Sequence, residues 1–254
     1  MKETCAIFKR QVGSLFRSPF AYATIALYLL CSGFIFYHIA FAEVKGPGLA
    51  SANQAGASHV WCEFWRASGW ILVLVLPLVS MGSIAGEKAA GTIELLLTCP
   101  VRLWQIVVGK YLGLVAFLAA MLAPTGVMAA ILCRYGDLAG TEVVSGYLGA
   151  LLFGAAALSV GVFTSSLART QAGAGLAAFA VLAVFCSVGF LGPYLPAVGG
   201  DLVRYLSIGE HYGHLVSGDV GLGDIVYLIS FAVFFLVAAA ESLRILWTGV
   251  KWGQ

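Results

Sequence analysis

Charge is scarce in this chain. Of its 254 residues only 10% are Asp, Glu, Lys or Arg, against about a quarter in ordinary soluble proteins. Fourteen basic and twelve acidic side chains leave a net charge of +2, scattered along the length. That excludes the concentrated basic footprint of a nucleic-acid binder. A chain that is 61% hydrophobic cannot stay solvated, so disorder is excluded as well. Catalytic signatures are also missing. No G-x-x-x-x-G-K-[ST] occurs, and the nearest approach, Gly109-Lys110, runs into Tyr111 without an upstream glycine, so no phosphate cradle is expected. Nucleophile-elbow and H-E-x-x-H patterns are absent too, which argues against an intramembrane hydrolase. Cys5, Cys31, Cys62, Cys99, Cys133 and Cys186 stand singly, without C-x-x-C. His59 with Cys62, and His211 with His214, are spaced three apart, too few ligands for a zinc site. Cys62 and Cys133 fall towards the same expected membrane face, where an oxidising compartment permits a disulfide. No catalytic residue, metal or cofactor is expected in this chain.

What is present is long uncharged sequence. A charge near the bilayer centre costs a few kcal/mol, so gaps between charges mark membrane spans. Five gaps stand out, at 18–42, 67–86, 111–133, 143–168 and 170–200, and a shorter one at 225–240 is extended by Ser242 and Leu243 beyond Glu241. Each holds the roughly 20 apolar residues that cross a hydrocarbon layer of about 30 Å, or comes close. The expectation is an all-α membrane protein of six transmembrane helices, at 20–42, 67–86, 108–133, 143–167, 171–192 and 225–246. Little chain is left for a soluble domain. With the N-terminus inside, ten Lys and Arg fall on inner segments (Lys2, Lys9, Arg10, Arg17, Lys88, Arg102, Lys110, Arg169, Arg244, Lys251) and four on outer ones (Lys45, Arg66, Arg134, Arg204). The bias predicts both termini in the cytoplasm. A cleaved secretory signal ending at Ala40-Phe41-Ala42 is the rival reading, but its apolar run is about twice the usual core of such a signal.

Three regions do not simply cross. In residues 1–17, Cys5, Phe8, Val12, Leu15 and Phe16 fall on one side of a helix and Lys2, Lys9, Arg10 and Arg17 on the other, the pattern of an interfacial helix that lies among lipid headgroups. Pro19 then makes the elbow into the first span. Residues 86–110 concentrate charge (Glu87, Lys88, Glu94, Arg102, Lys110) around a short apolar run of Thr92, Ile93, Leu95, Leu96 and Leu97 that Pro100 ends. Four large aliphatic side chains in a polar connection stay exposed unless another surface covers them, so 87–104 reads as a docking element. Residues 193–224 are rich in Gly and Pro, with Leu202, Val203, Tyr205, Leu206 and Ile208 between the breakers, and read as a re-entrant hairpin before the last span. The uncharged gaps hold no acid or base apart from His38, which gives proton or sodium coupling little support.

These features resemble the ABC-2-type permeases of bacterial ATP-binding-cassette transporters, in particular their gliding-motility and multicopper-enzyme-maturation-like branch. The resemblance is carried by Leu15-Phe16-Arg17-Ser18-Pro19-Phe20-Ala21-Tyr22, by Gly86-Glu87-Lys88 through Gly91-Thr92-Ile93-Glu94-Leu95-Leu96-Leu97-Thr98-Cys99-Pro100-Val101 and Gly109-Lys110, and by Glu210-His211-Tyr212, Ser217-Gly218-Asp219-Val220 and Asp224-Ile225-Val226-Tyr227. It implies a single type V exporter-like domain in the bacterial inner membrane, with a coupling helix between the second and third spans. It implies that an ABC ATP-binding subunit, holding ATP and Mg, presses against Glu87, Lys88, Ile93, Glu94, Leu96 and Leu97. It also implies a second permease copy or relative, with a periplasmic or auxiliary subunit and membrane lipid as further partners. The function implied is substrate movement powered by that separate ATPase. The alternative is a non-transporting subunit that passes ATPase strokes to an extracytoplasmic partner.

Overall fold

The structure, a computed structural model, describes residues 2–45, 55–91, 103–136, 138–194 and 197–252. Helix α1 (Lys2–Arg17) ends where Pro19 removes a donor, and α2 (Pro19–Lys45) starts with that proline at its first position. Ser18 serves both helices: its N–H donates to Leu15 O at 3.1 Å, and its Oγ accepts from Phe20 N at 3.3 Å. There follow α3 (Ala55–Ser80), the short α4 (Ala85–Ala89), α5 (Leu103–Leu122) and α6 (Gly126–Tyr135). A 3-10 turn at Ala123–Thr125, built on Pro124, joins the last two. Then come α7 (Gly140–Leu167), α8 (Gln171–Ser187), a 3-10 stretch at Val188–Tyr194, α9 (Ala197–Leu206), α10 (Ile208–Val216) and α11 (Leu222–Trp252). Among the described residues, six stretches are long and apolar enough to cross a membrane: Pro19–Ala42, Gly56–Ala89, Leu103–Tyr135, Gly140–Leu167, Gln171–Gly192 and Leu222–Ile245.

Several helices run past the bounds that charge spacing sets. Helix α3 begins at Ala55 rather than at 67 and carries Glu63 and Arg66 on its surface as an i,i+3 pair at 3.2 Å. Likewise α11 begins at Leu222 and continues through Glu241 and Arg244. Charges mark where hydrocarbon ends, whereas backbone hydrogen bonding continues until a breaker or an unpaired end stops it.

The core is built around α3 and α7, which pack against each other and bury the largest share of their apolar residues. Trp61, Phe64, Trp65, Leu72 and Leu76 of α3 are almost wholly buried, as are Ala150, Phe153, Leu158 and Val160 of α7. Close approach depends on Gly161, where an added Cβ would overlap the Ser80 hydroxyl. Around this pair sit α2, α8, α10 and α11, with α5 also lying on α7. The outer helices keep apolar faces uncovered: Leu30, Phe34 and Tyr37 of α2, and Val226, Phe234 and Val237 of α11, are all more than half exposed. A soluble protein would not sustain such faces, whereas lipid covers them at no cost.

Candidate functional site

At the end of α3 the chain turns and enters α4, whose first N–H groups have no cap from their own sequence. The cap comes from α7. Ser165 Oγ accepts from Ile84 N at 3.0 Å and from Ala85 N at 2.9 Å, and its O–H donates to Met81 O at 3.0 Å. One hydroxyl therefore fills the role of a helix N-cap across more than eighty residues of chain. Two lysines close the other sides of the turn. Lys88 Nζ donates to the Ser166 carbonyl in the last turn of α7, where cations are favoured by the helix dipole. Lys110 of α5 is 3% exposed; its Nζ lies 2.7 Å from Glu87 Oε2 and donates to Ser83 O. The start of the connection between the second and third spans is thus held by α5 and α7 together.

Helix α1 lies on the same side of the bundle and packs along α5. The contact runs over Gly109 and Gly113, two members of a small-xxx-small pair. A Cβ at Gly109 would come within 2.9 Å of Ile7 Cγ2, and one at Gly113 within 2.7 Å of Gln11 Cγ. Further along, the Phe16 and Phe117 rings meet with centroids 5.6 Å apart. Ile7, Gln11, Leu15 and Phe16 of α1 are therefore engaged by protein, while Cys5, Lys9, Arg10, Ser14 and Arg17 are exposed.

At the opposite end, α9 and α10 are two short helices, neither long enough to span a bilayer. Their junction is fixed by His211, which is buried. Nδ1 lies 2.5 Å from Asp224 Oδ1 at the start of α11, and Nε2 lies 2.9 Å from Tyr205 O. Both ring nitrogens are engaged, so the imidazole bridges the end of α9 and the start of α11. The Tyr227 ring stacks on the imidazole at 4.0 Å, and its hydroxyl donates to Leu206 O at 2.7 Å. Next along α10, Tyr212 is inserted against Gly69 of α3 and donates to Trp65 O at 2.6 Å. Burial pushes this phenol well above its ordinary range, so it stays a donor. Between α3, the 3-10 stretch and α10 lies a cleft of about 330 Å³, with Trp70, Phe190 and Tyr212 as apolar walls and Arg66, Glu210 and His214 at its rim.

Of the six docking residues expected from sequence, Glu87 and Lys88 are brought together with Lys110, Ser165 and Ser166. Ile93, Glu94, Leu96 and Leu97 lie outside the described residues. Glu87 and Lys88, which the resemblance makes charged contacts with an ATP-binding subunit, also bond to α5 and α7 of this chain, and both stay partly exposed. Sequence reasoning missed Ser165 and the use of Lys110. The one signal for the latter was a lysine seven residues inside an otherwise apolar helix. Cys62 and Cys133 are free thiols, and Cys62 Sγ lies 3.5 Å from Ser217 Oγ. Among the described residues no group of three or more His, Cys, Asp or Glu is arranged to hold a metal ion.

Compared with models of known protein families, the chain matches the ABC-2 family transporter protein over residues 57–245. The matched stretch includes the α4 junction and the cleft between α3 and α10, while α1 and α2 precede it. No curated protein matches the chain.

Proposed function

The chain belongs to the ABC-2 transporter family and is a multi-pass membrane permease, and on that premise we propose that it is powered by a separate ATP-binding subunit docked on residues 87–104. The observation that carries the reading is the construction of the junction at α4. A connection that only had to join two helices needs no buried ion pair, since taking charges out of water costs several kcal/mol per ion before pairing offsets it. A connection that receives a push needs a rigid root. Glu87–Lys110 roots it on α5, and Ser165 with Lys88 roots it on α7. In this account Ile93, Leu96 and Leu97 give the apolar contact with the ATPase and Glu94 a polar one. ATP and Mg are held by that partner, and closure of two ATP-binding subunits shifts the roots, so that two permease copies alternate between inward and outward access. Both termini then face the cytoplasm of the bacterial inner membrane, and α9 with α10 re-enters the membrane from outside.

The test leaves the root intact. Ile93→Asp with Leu96→Asp places two charges in the apolar contact without touching Glu87 or Lys110. Co-purification with the cognate ATPase should be lost while the permease still elutes as a folded species. Retained co-purification and unchanged ATP turnover would remove the docking assignment.

A further inference from the structure

The outward side of α1 forms an open groove of about 540 Å³ lined by Lys9, Arg10, Gly13, Ser14, Arg17 and Ser18. Three features set it apart from a merely solvated face. Its lining holds three cations, two hydroxyls and no carboxylate. Lys9, Arg10 and Arg17 make no ion pair with any described residue. Its floor is Gly13, in the middle of a helix, where glycine is the poorest former after proline. Packing does not require that glycine, because an added Cβ would meet nothing within 4 Å. This differs from Gly109 and Gly113, which admit α1 itself.

The helical repeat explains the shape. Lys9, Gly13 and Arg17 fall four apart on one stripe, and Arg10, Ser14 and Ser18 on the next. Lys9 and Arg17 are separated by about 12 Å along the axis, one turn above and one turn below the notch that glycine leaves. Two guanidinium forks, an ammonium and two hydroxyl donors around a gap is the donor set that a phosphate oxygen cluster takes. The depth is fixed as well. The candidate span Pro19–Ala42 begins immediately after Ser18. The groove therefore lies at the boundary where lipid phosphates lie, with Lys9, Arg10, Ser14 and Arg17 exposed while Ile7 and Phe16 contact α5.

We propose that this groove is a binding site for the phosphate of an anionic phospholipid in the leaflet on which α1 rests. The lipid would hold the outward side of α1 while Gly109 and Gly113 hold the inward side. The site owes nothing to an ATPase and stands or falls separately from the docking of residues 87–104.

The full-length protein, purified in detergent and delipidated, is offered phosphatidylglycerol and phosphatidylcholine with identical acyl chains, and bound lipid is counted by native mass spectrometry. Phosphatidylglycerol should be retained in at least about tenfold excess, since each basic residue near a lipid surface contributes roughly a fivefold preference. Lys9→Gln, Arg10→Gln and Arg17→Gln should each reduce that preference by about fivefold. Gly13→Leu keeps every charge and fills the notch, and should reduce retention while leaving helicity and elution volume unchanged. Equal retention of the two lipids by the unmodified protein would overturn the site, as would undiminished retention by Gly13→Leu. Displacement of the lipid by millimolar inorganic phosphate would overturn the lipid assignment in favour of a soluble anion.

Discussion

Lys110, buried in the first half of α5, makes its ion pair with Glu87 of α4 at 2.7 Å. The pair joins α4 to α5 directly. Lys110 also donates to Ser83 O, so the ammonium holds the turn on both sides of Ile84.

Removing one partner should be more harmful than removing both. Glu87→Ala leaves a buried ammonium without its carboxylate and should destabilise the protein by about 2–3 kcal/mol, somewhat under the ~3–5 of full burial because Glu87 keeps partial contact with solvent. Glu87→Leu combined with Lys110→Met should recover much of that stability. Thermal unfolding of the detergent-purified variants measures both. A double variant as unstable as the single one would show that the pair is not the source of the loss.

Ser165→Ala removes the acceptor for Ile84 N and Ala85 N. Loss of an N-cap costs about 1 kcal/mol, and two buried donors left without a partner raise that towards ~2. Thr at this position should restore most of it, since the hydroxyl is kept. Amide exchange at Ile84 and Ala85 is the direct readout: both should exchange faster in the alanine variant and not in the threonine variant.

Gly109→Leu forces a side chain against Ile7 and the Thr4 carbonyl, and overpacking of this kind costs about 1–3 kcal/mol. The cheapest relief is detachment of α1 rather than disruption of the bundle. Tryptic cleavage at Lys9 and Arg10 should therefore accelerate several-fold while the melting temperature of the remainder hardly moves. An unchanged cleavage rate would contradict the observed seat of α1.

Asp224→Asn preserves shape but removes the charge that faces His211 Nδ1 and, at 3.5 Å, His214 Nδ1. A charge-assisted hydrogen bond is worth about 1.5–3 kcal/mol, so a loss in that range is expected. It should be local: disulfide trapping between cysteines placed on α10 and α11 should become less efficient, with the α4 junction unaffected.

How much of this was legible in the sequence differs by element. The six apolar stretches follow from the spacing of charges, and α1 from a partial separation at 100° per residue, in which Lys9 borders Phe16 and Ile7 falls outside the apolar arc. The Gly and Pro content of 193–224 marked a region that does not simply cross, and α9 and α10 are two short helices there. The apolar residues of the expected docking segment lie outside the described ones, and its charged start, Glu87 and Lys88, is bonded to α5 and α7 while staying partly exposed. Ser165 could not have been found: it is one of several serines on an apolar helix, and nothing local distinguishes it from Ser159 or Ser166.

The sequence by itself determined that this is a helical membrane protein with six candidate spans, because exclusion of charge from hydrocarbon acts along the chain and leaves its mark in the spacing of single residues. Tertiary structure alone decided which polar groups meet: Lys110 with Glu87, Ser165 with the start of α4, His211 with Asp224. Each pairing depends on how helices distant in sequence are juxtaposed, and that is fixed by close packing at points such as Gly161 against Ser80, where the size of one side chain sets the distance between two helices.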